Sequence, residues 1–137
     1  MRFKPCLAAP TVVLSLAGFS ARAEDCPARS HMMDDIMVAL NEAPSCDRAM
    51  KIFEACEFGT SGDIHFGAVV EKKCERDFLA RLKDPQNHLY QREMRVCDRK
   101  YGNEQGTMYR SFTAFCRAEV ARRYSRQALK AASSRAR

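Results

Sequence analysis

The stretch that decides the fold is residues 74–97, CERDFLARLKDPQNHLYQREMRVC, in which two helical patterns flank an Asp84-Pro85 break. Aspartate is a frequent N-cap, and proline at the first helical position loses no useful donor, so a new helix is expected there. The segments on either side should pack as an antiparallel pair. Cys74 lies about ten residues before the break and Cys97 about twelve after it. The two cysteines would be nearly level, so a Cys74–Cys97 disulfide is predicted.

Helical periodicity continues outward in both directions, and no segment shows the alternation of a half-buried strand. Five helices are predicted: from Ser30 to Glu42, from Ser45 as the N-cap to a stop at Gly59, from Asp63 to Lys83, from Pro85 to Tyr101, and from Thr107 as a cap to about Leu129. Short connections make the expected fold all-α, a small antiparallel bundle of four to five helices cross-linked by disulfides.

Two of the predicted inner faces are rich in large apolar residues. The third helix carries a ladder with a spacing of four: Phe66, Val70, Cys74, Phe78 and Leu82. The last helix is predicted to bury Tyr109, Phe112, Cys116 and Val120. These faces are expected to form the core of the bundle.

The first 23 residues have the pattern of a secretory signal peptide. Arg2 and Lys4 precede a mostly apolar run from Cys6 to Phe19, and Ala21-Arg22-Ala23 offers the small residues that signal peptidase recognises. The run of about 14 residues is shorter than the roughly 20 that a membrane-spanning helix needs. We therefore expect cleavage before Glu24 and no transmembrane segment in the mature protein.

Cleavage would leave a chain of a size typical of one domain. We expect a single helical disulfide-bonded domain over residues 24–130 and a frayed basic tail over residues 131–137. A periplasmic or secreted location follows from the predicted signal peptide.

Signal removal leaves six cysteines, and disulfides persist in the oxidising compartments that exported proteins enter. Three disulfides are therefore predicted among Cys26, Cys46, Cys56, Cys74, Cys97 and Cys116. Beyond the pair proposed above the connectivity stays open, except that a Cys46–Cys56 bond is excluded because ten helical residues separate them by about 15 Å. No metal site is expected, since Cys-x-x-Cys is absent and the histidines lack ligand spacing.

The charge of the mature chain is divided between its two halves. Residues 24–74 contain 5 basic and 10 acidic residues, and residues 75–137 contain 15 basic and 7 acidic residues. The favoured interpretation is that the halves pack against each other with complementary charge. The alternative is a basic surface that faces an anionic partner.

No residues form a recognisable catalytic set. His31, His65 and His88 are each predicted near a helix N-terminus on a polar or mixed face, and no serine-nucleophile motif accompanies them. A glycosidase needs two carboxyl groups across a cleft, an arrangement that a sequence does not reveal. We expect no enzymatic activity and no cofactor, with a small hydrolase as an alternative.

Basic residues on the last helix are the predicted partner-binding residues. Arg122, Arg126 and Lys130 form an i, i+4, i+8 row that suits carboxylate or phosphate groups, and a solvated face is the alternative. Nucleic acid is not an expected partner, because the protein is predicted to be exported and has no tryptophan or aromatic–basic alternation.

Residues 79–129 resemble the exported, helical, disulfide-bonded proteins related to bacterial lysozyme inhibitors. The similar elements are Leu89-Tyr90-Gln91-Arg92 before Cys97, Gly106-Thr107 before Cys116, and Arg122-Arg123 ahead of Leu129. The resemblance implies a periplasmic helical module that binds another protein, and it assigns no inhibitory residue.

The leading hypothesis is therefore an exported protein-binding module, with inhibition of a lysozyme or another cell-wall hydrolase as its specific form. A structural protein that lays its basic C-terminal helix on anionic lipid or wall polymer is the alternative.

Overall fold

The computed structural model describes residues 25–136, which form five α-helices and one short 3-10 turn. The elements are α1 (Met33–Glu42), α2 (Cys46–Cys56), α3 (Asp63–Glu75), the 3-10 turn (Leu79–Arg81), α4 (Asp84–Lys100) and α5 (Thr107–Arg135). The predicted all-α bundle is confirmed. The predicted signal peptide, residues 1–23, lies outside the described range. Within that range no helix has both the length and the apolar content needed to cross a bilayer.

The helices from α2 to α5 alternate in direction. On α4 and α5, Asp98 contacts Arg117 whereas Glu93 contacts Tyr124, so the two helices are antiparallel. On α3 and α5, Asp63 contacts Ser111 and Glu71 contacts Arg117, so these two helices are parallel. In a square bundle α3 and α5 would be diagonal partners, yet they form the most extensive helix contact. The bundle is therefore flattened along the α3–α5 diagonal. The N-terminal α1 packs on α2 and α3.

The α3–α5 contact depends on small side chains. A Cβ atom added to Gly67 would lie 2.9 Å from Cβ of Ala114 and 3.1 Å from its carbonyl oxygen. Toward one end of the seam, Ser111 Oγ donates to Asp63 Oδ2 at 2.6 Å. The backbones can approach this closely because Gly67 has no side chain and Ala114 has a minimal one.

The buried face of α5 differs from the predicted one. It is made mainly of small residues at alternating spacings of three and four: Ser111, Ala114, Ala118, Ala121 and Ser125. Phe112, predicted to be in the core, is 41% exposed, and Tyr109 and Cys116 are half-buried. Val120 is buried as predicted. The close approach to α3 selects small residues for the inner face, which turns the large ones outward.

The third helix is shorter than predicted. It ends at Glu75, so the prediction of a helix to Lys83 is wrong. Residues spaced by four advance about 40° around a helix at each step, so a long ladder turns away from any one neighbour. The chain bends instead, which keeps Phe78 buried with its ring centroid 5.1 Å from that of Tyr90 and 5.5 Å from that of Tyr124.

The disulfides join Cys26 to Cys56, Cys46 to Cys74, and Cys97 to Cys116. Three disulfides were expected and are present, but the predicted Cys74–Cys97 pairing is wrong. That prediction assumed two helices that reach the Asp84-Pro85 break, whereas the chain between α3 and α4 is mostly not helical. Tyr90 is the residue level with the end of α3, since its hydroxyl donates to Glu75. Cys97 therefore lies about 10 Å farther along α4 and meets α5 instead.

The N-cap of α2 is confirmed. Ser45 Oγ accepts a hydrogen bond from the backbone N–H of Arg48 at 3.1 Å. The first helix begins at Met33 rather than Ser30. Ser30 Oγ accepts the N–H of Met32, which holds the chain in a turn before the helix.

Two other predicted caps are displaced by one residue. Lys83, not Asp84, precedes α4, and its backbone N–H donates to the Gln86 side chain at 3.2 Å. Gly106, not Thr107, precedes α5 with φ of 117°. That left-handed backbone favours glycine, which explains why the threonine lies inside the helix.

The last helix continues through Arg135, beyond the predicted end near Leu129. Residues 131–135 of the predicted frayed tail are therefore helical, and Arg137 lies outside the described residues. Alanine and arginine are good helix formers, and neither proline nor glycine follows Leu129 to end the helix.

Asp63 is a fully buried carboxylate that organises the connection between α2 and α3. It accepts the backbone N–H groups of Phe58 and Gly59, each at 2.8 Å, as well as the hydroxyl of Ser111. These donors compensate for the loss of water around the charge. The same interactions fix the end of α2 relative to α5.

Substitution Gly67→Ala is predicted to lower the free energy of unfolding by about 1–3 kcal/mol, because the new methyl group overpacks the α3–α5 contact. In an unconstrained helix the same change stabilises by roughly 0.5–1 kcal/mol. A decrease in the free energy of unfolding, instead of an increase, would therefore indicate the close contact. Urea denaturation followed by circular dichroism measures it. The double variant Gly67→Ala/Ala114→Gly should recover part of the loss, and a stabilised single variant would contradict the contact.

Candidate functional site

The structure divides the predicted basic row of α5. Arg122 faces inward, with a side chain only 12% exposed. It donates to Asp47 at 2.9 Å, to Glu54 at 3.1 Å and to Glu119 at 3.0 Å. Burial alone would lower the pKa of Arg122, but the hydrogen bond to Asp47 and the nearby carboxylates raise it. The charge of Arg122 is therefore balanced by carboxylates of the protein itself.

The other two members of the row are more accessible. Arg126 donates to Asp47 at 2.7 Å but is 53% exposed. Burial tends to raise the pKa of Asp47, and the hydrogen bonds from Arg122 and Arg126 outweigh it, so the pKa is lowered. Lys130 is exposed and pairs with no carboxylate among residues 25–136. The contacts of α2 with α5 confirm that the acidic and basic halves are complementary.

An open groove with a volume of about 900 Å³ follows the outward face of α5. We call it the α5 groove. One wall is the end of α4 and the other is the end of α2. Its lining comprises Glu57, Lys100, Tyr101, Phe112, Phe115, Cys116, Glu119, Val120, Arg123, Arg126, Gln127 and Lys130. It therefore contains two of the three predicted partner-binding residues, Arg126 and Lys130, together with three aromatic residues, of which Phe112 was predicted to be in the core.

Aromatic rings form the end of the groove nearest the start of α5. The ring centroids of Tyr101 and Phe112 are 5.6 Å apart. Phe115 stacks on the buried ring of Phe53 with a centroid distance of 3.9 Å. These neighbours limit the rotation of the exposed rings, so the aromatic surface is preorganised.

Cations dominate the charge of the groove. The Nζ atom of Lys100 lies 5.1 Å from the ring centroid of Tyr101, and Lys100 forms no ion pair within the described residues. Arg123 pairs with Glu93 but is 52% exposed. Burial, together with the charges of Asp63 and Glu54, raises the pKa of Glu57. The groove thus offers cations to an anionic group.

A second cavity, of about 700 Å³, lies between α3, α4 and α5. We call it the Arg117 cleft. Arg117 donates to Glu71 at 2.8 and 3.0 Å and to Asp98 at 2.9 and 3.0 Å. The hydrogen bond to Glu71 is the main cause of a raised Arg117 pKa. One guanidinium group therefore links three helices: it forms a bidentate pair with Glu71, and its Nη1 donates to both carboxylate oxygens of Asp98.

Glu75 also lines the Arg117 cleft. Its carboxylate accepts the hydroxyl of the buried Tyr90 at 2.9 Å. Burial raises the pKa of Glu75, and the hydrogen bond from Tyr90 opposes this only in part. Burial and the same carboxylate raise the pKa of Tyr90, so its phenol stays protonated as the donor.

The two cavities differ in whether cations without a carboxylate partner lie beside exposed aromatic rings. In the Arg117 cleft the guanidinium of Arg117 and its carboxylates satisfy one another and join three helices. The two other cations of that lining, Lys72 and Arg110, have no aromatic side chain beside them in it. In the α5 groove the two lysines lack carboxylate partners and the aromatic rings are partly exposed. The α5 groove is therefore the better candidate for binding another molecule.

The histidines lie elsewhere. His31, His65 and His88 are exposed, and none lines either cavity. Residues 25–136 hold no group of three or more histidine, cysteine or acidic residues arranged to hold a metal ion.

Comparison with protein-family models, with curated proteins and with solved structures finds no match for this chain in any of the three. Function is therefore inferred from the side chains of the two cavities.

Sequence reasoning missed the aromatic part of the α5 groove because it placed Phe112 in the core. A signal was present: the small residues at 111, 114, 118, 121 and 125 have the alternating spacing of three and four that a helix presents to a close neighbour. An inner face assigned from that spacing would have put Phe112 outside. The Arg117 cleft gave no such signal, because its carboxylates come from two other helices.

Substitution Arg117→Met is predicted to lower the free energy of unfolding by about 2–3 kcal/mol, because it strands Glu71, whose side chain is only 18% exposed. Arg110→Met is the matched control, since Arg110 lines the same cleft without an ion pair in the described chain. The control should change stability by less than about 0.5 kcal/mol. Equal stability of the two variants in urea denaturation would contradict the bridging role of Arg117.

Substitution Glu75→Gln is predicted to stabilise the protein at neutral pH and to have little effect in acid. A raised carboxyl pKa means that the folded state binds the proton more tightly than the unfolded chain. The stability that Glu75 contributes is therefore present below the ordinary pKa of 4.5 and is lost as the pH rises through the folded pKa. Glutamine keeps the acceptor for Tyr90 without the charge.

Melting temperatures of wild type and Glu75→Gln between pH 3 and pH 8 test this expectation. The difference should grow as the pH rises. Asp98→Asn is the comparison, because it removes a carboxylate that Arg117 binds and should destabilise at neutral pH. A Glu75→Gln variant that melts below wild type at pH 7 would contradict the assigned direction.

Proposed function

We propose that this protein is an exported protein-binding module and that the α5 groove is its binding surface. The observation that carries the proposal is the groove itself, where partly exposed aromatic rings lie beside Lys100 and Lys130, which lack carboxylate partners in the described chain. Aromatic anchors next to accessible cations are typical of protein-recognition surfaces.

A rigid frame supports the groove. The Cys97–Cys116 disulfide joins the two helices that carry most of the lining, and Cys116 is itself part of it. Binding to a surface that is already fixed costs less conformational entropy than binding to a mobile one. Three disulfides are also what an oxidising compartment permits, in agreement with the signal-like pattern of residues 1–23.

A cell-wall hydrolase is the partner that we propose specifically. The support is the resemblance of residues 79–129 to proteins related to lysozyme inhibitors, together with the shape of α5. This helix is about 44 Å long, against about 26 Å for α4. Its last turns are exposed and carry Lys130 and Leu129. A cationic side chain near this end of the helix suits an acidic surface element of such an enzyme.

Titration of the oxidised mature protein against a panel of lysozymes is the test, with complex formation and muramidase activity as readouts. We expect at least one lysozyme to bind and lose activity. The double variant Lys100→Glu/Lys130→Glu should weaken binding at least tenfold, about 1.4 kcal/mol, through loss and reversal of the groove charges.

The matched control is Lys51→Glu/Lys83→Glu, which makes the same change in net charge at exposed lysines outside the groove. It should bind as wild type does. Absence of binding to every lysozyme in the panel would remove the inhibitor proposal. Equal losses in both double variants would show that net charge, not the groove, controls binding.

Association with an anionic surface is the rival function, and the exposed end of α5 is the observation in its favour. Against it, Arg122 and Arg126 are held by Asp47, which reduces the charge available to a surface. Cosedimentation with phosphatidylglycerol vesicles that decreases as salt increases would support the rival.

A further inference from the structure

The α5 groove changes in chemical character along its length. Its first part is mainly aromatic, with Tyr101, Phe112 and Phe115, and Lys100 lies beside Tyr101. Its second part is polar and cationic, with Arg123, Arg126, Gln127 and Lys130. The lining thus runs from a mainly aromatic end to a polar, cationic end over about 27 Å of helix, from residue 112 to residue 130.

The dimensions of the groove suit a helix. The inner face of α5 packs on α3, while α4 and the end of α2 contact its sides, so its fourth side is open. A segment of about 18 helical residues would match the length of the lining. Such a segment would bury the exposed ring of Phe112 and complete the packing around α5.

The charges select an acidic occupant. Four cations and two carboxylates line the groove, and Glu119 is already bonded to Arg122. Lys100 and Lys130 have no carboxylate partner within residues 25–136, and the exposed parts of Arg123 and Arg126 retain N–H donors. The chain's own first 22 residues do not fit this requirement, because their charged residues are Arg2, Lys4 and Arg22.

The helix dipole orients the occupant. The cationic part of the groove lies toward the C-terminal end of α5, where the dipole of that helix is negative. A partner helix that runs antiparallel to α5 brings its positive N-terminal end there. Acidic residues are favoured in the first turns of a helix, so the carboxylates would lie beside Arg126 and Lys130. Apolar residues farther along would then reach Phe112.

We propose that the α5 groove binds an acidic amphipathic helix of a partner protein, antiparallel to α5, with its N-terminal carboxylates at Lys130 and its later apolar residues on Phe112 and Tyr101. This inference rests on the proposed function and specifies the partner element. It predicts a ligand sequence with aspartate or glutamate in the first two turns. Apolar residues at i, i+3 or i+4, and i+7 should follow in the next turns.

Selection from a phage library of random 20-residue peptides against the oxidised mature protein tests the proposal without assuming a partner. Enriched peptides should carry acidic residues N-terminal to the apolar ones. The best synthetic peptide should gain helical circular dichroism on binding. Its affinity should fall at least tenfold with Lys100→Glu/Lys130→Glu and with Phe112→Ser.

Two matched variants separate the groove from general effects. Lys51→Glu/Lys83→Glu repeats the charge change outside the groove, and Leu89→Ser removes an exposed apolar side chain from α4 outside the groove. Both should bind the peptide as wild type does. Melting temperatures of all variants distinguish lost binding from lost folding. If Phe112→Ser does not fold, Lys100→Glu/Lys130→Glu still tests the groove, because it changes only exposed lysines.

Several results would overturn the proposal: no enrichment, basic or uncharged consensus peptides, acidic residues C-terminal to the apolar ones, or binding that the groove variants leave unchanged. These results are distinguishable from failure of the proposed function. If a lysozyme binds the groove variants as tightly as wild type, the binding function is supported and the groove is rejected as its site. If an acidic peptide binds in a way that depends on the groove but no lysozyme binds, the groove is supported as a binding site and the hydrolase is rejected as the partner.

Discussion

The close approach of α3 and α5 at Gly67 and Ala114 is the constraint on which the rest of this structure depends. These helices are two apart in the chain and run parallel, so they would lie on a diagonal of a square bundle. Contact across the diagonal brings the backbones together and moves α2 and α4 to the two sides. The inner face of α5 must then be built from alanine and serine, and its larger residues must lie on the outside.

This arrangement distributes the remaining stabilising interactions among the helices. The disulfides join the N-terminal segment to α2, α2 to α3, and α4 to α5, while the α3–α5 seam has none. Polar pairs fix that seam instead, including the buried pair of Asp63 and Ser111 and the bidentate pair of Glu71 and Arg117. Polar pairs without a disulfide thus fix the α3–α5 contact, whereas the α4–α5 contact combines the Cys97–Cys116 disulfide with the ion pairs Arg117–Asp98 and Arg123–Glu93.

The same geometry decides which charges remain available to other molecules. The acidic first half of the chain neutralises much of the basic last helix, with Asp47 binding both Arg122 and Arg126. Lys130 and Lys100 lie beyond the reach of these carboxylates, at the edge of a surface where displaced aromatic rings are exposed. The combination of cations without carboxylate partners and outward-facing rings is the basis for proposing the α5 groove as the recognition surface. A basic helix alone would not provide it.

The sequence by itself determined the helical class, the approximate positions of the five helices, the presence of three disulfides and the complementary charge of the two halves. These properties follow from periodicity, cysteine number and composition, which depend on neighbouring residues or on residue counts and not on how the helices pack. Only the tertiary structure decided the disulfide pairing, the inner face of α5 and the residues of the groove. The Cys74–Cys97 prediction failed because a bend after Glu75 shifts the register of α4. The predicted face of α5 was wrong because it was assigned from hydrophobicity, which does not report how closely two backbones approach. The spacing of the small residues on α5 is compatible with the observed face, but the contact with Gly67 that requires them is a tertiary one.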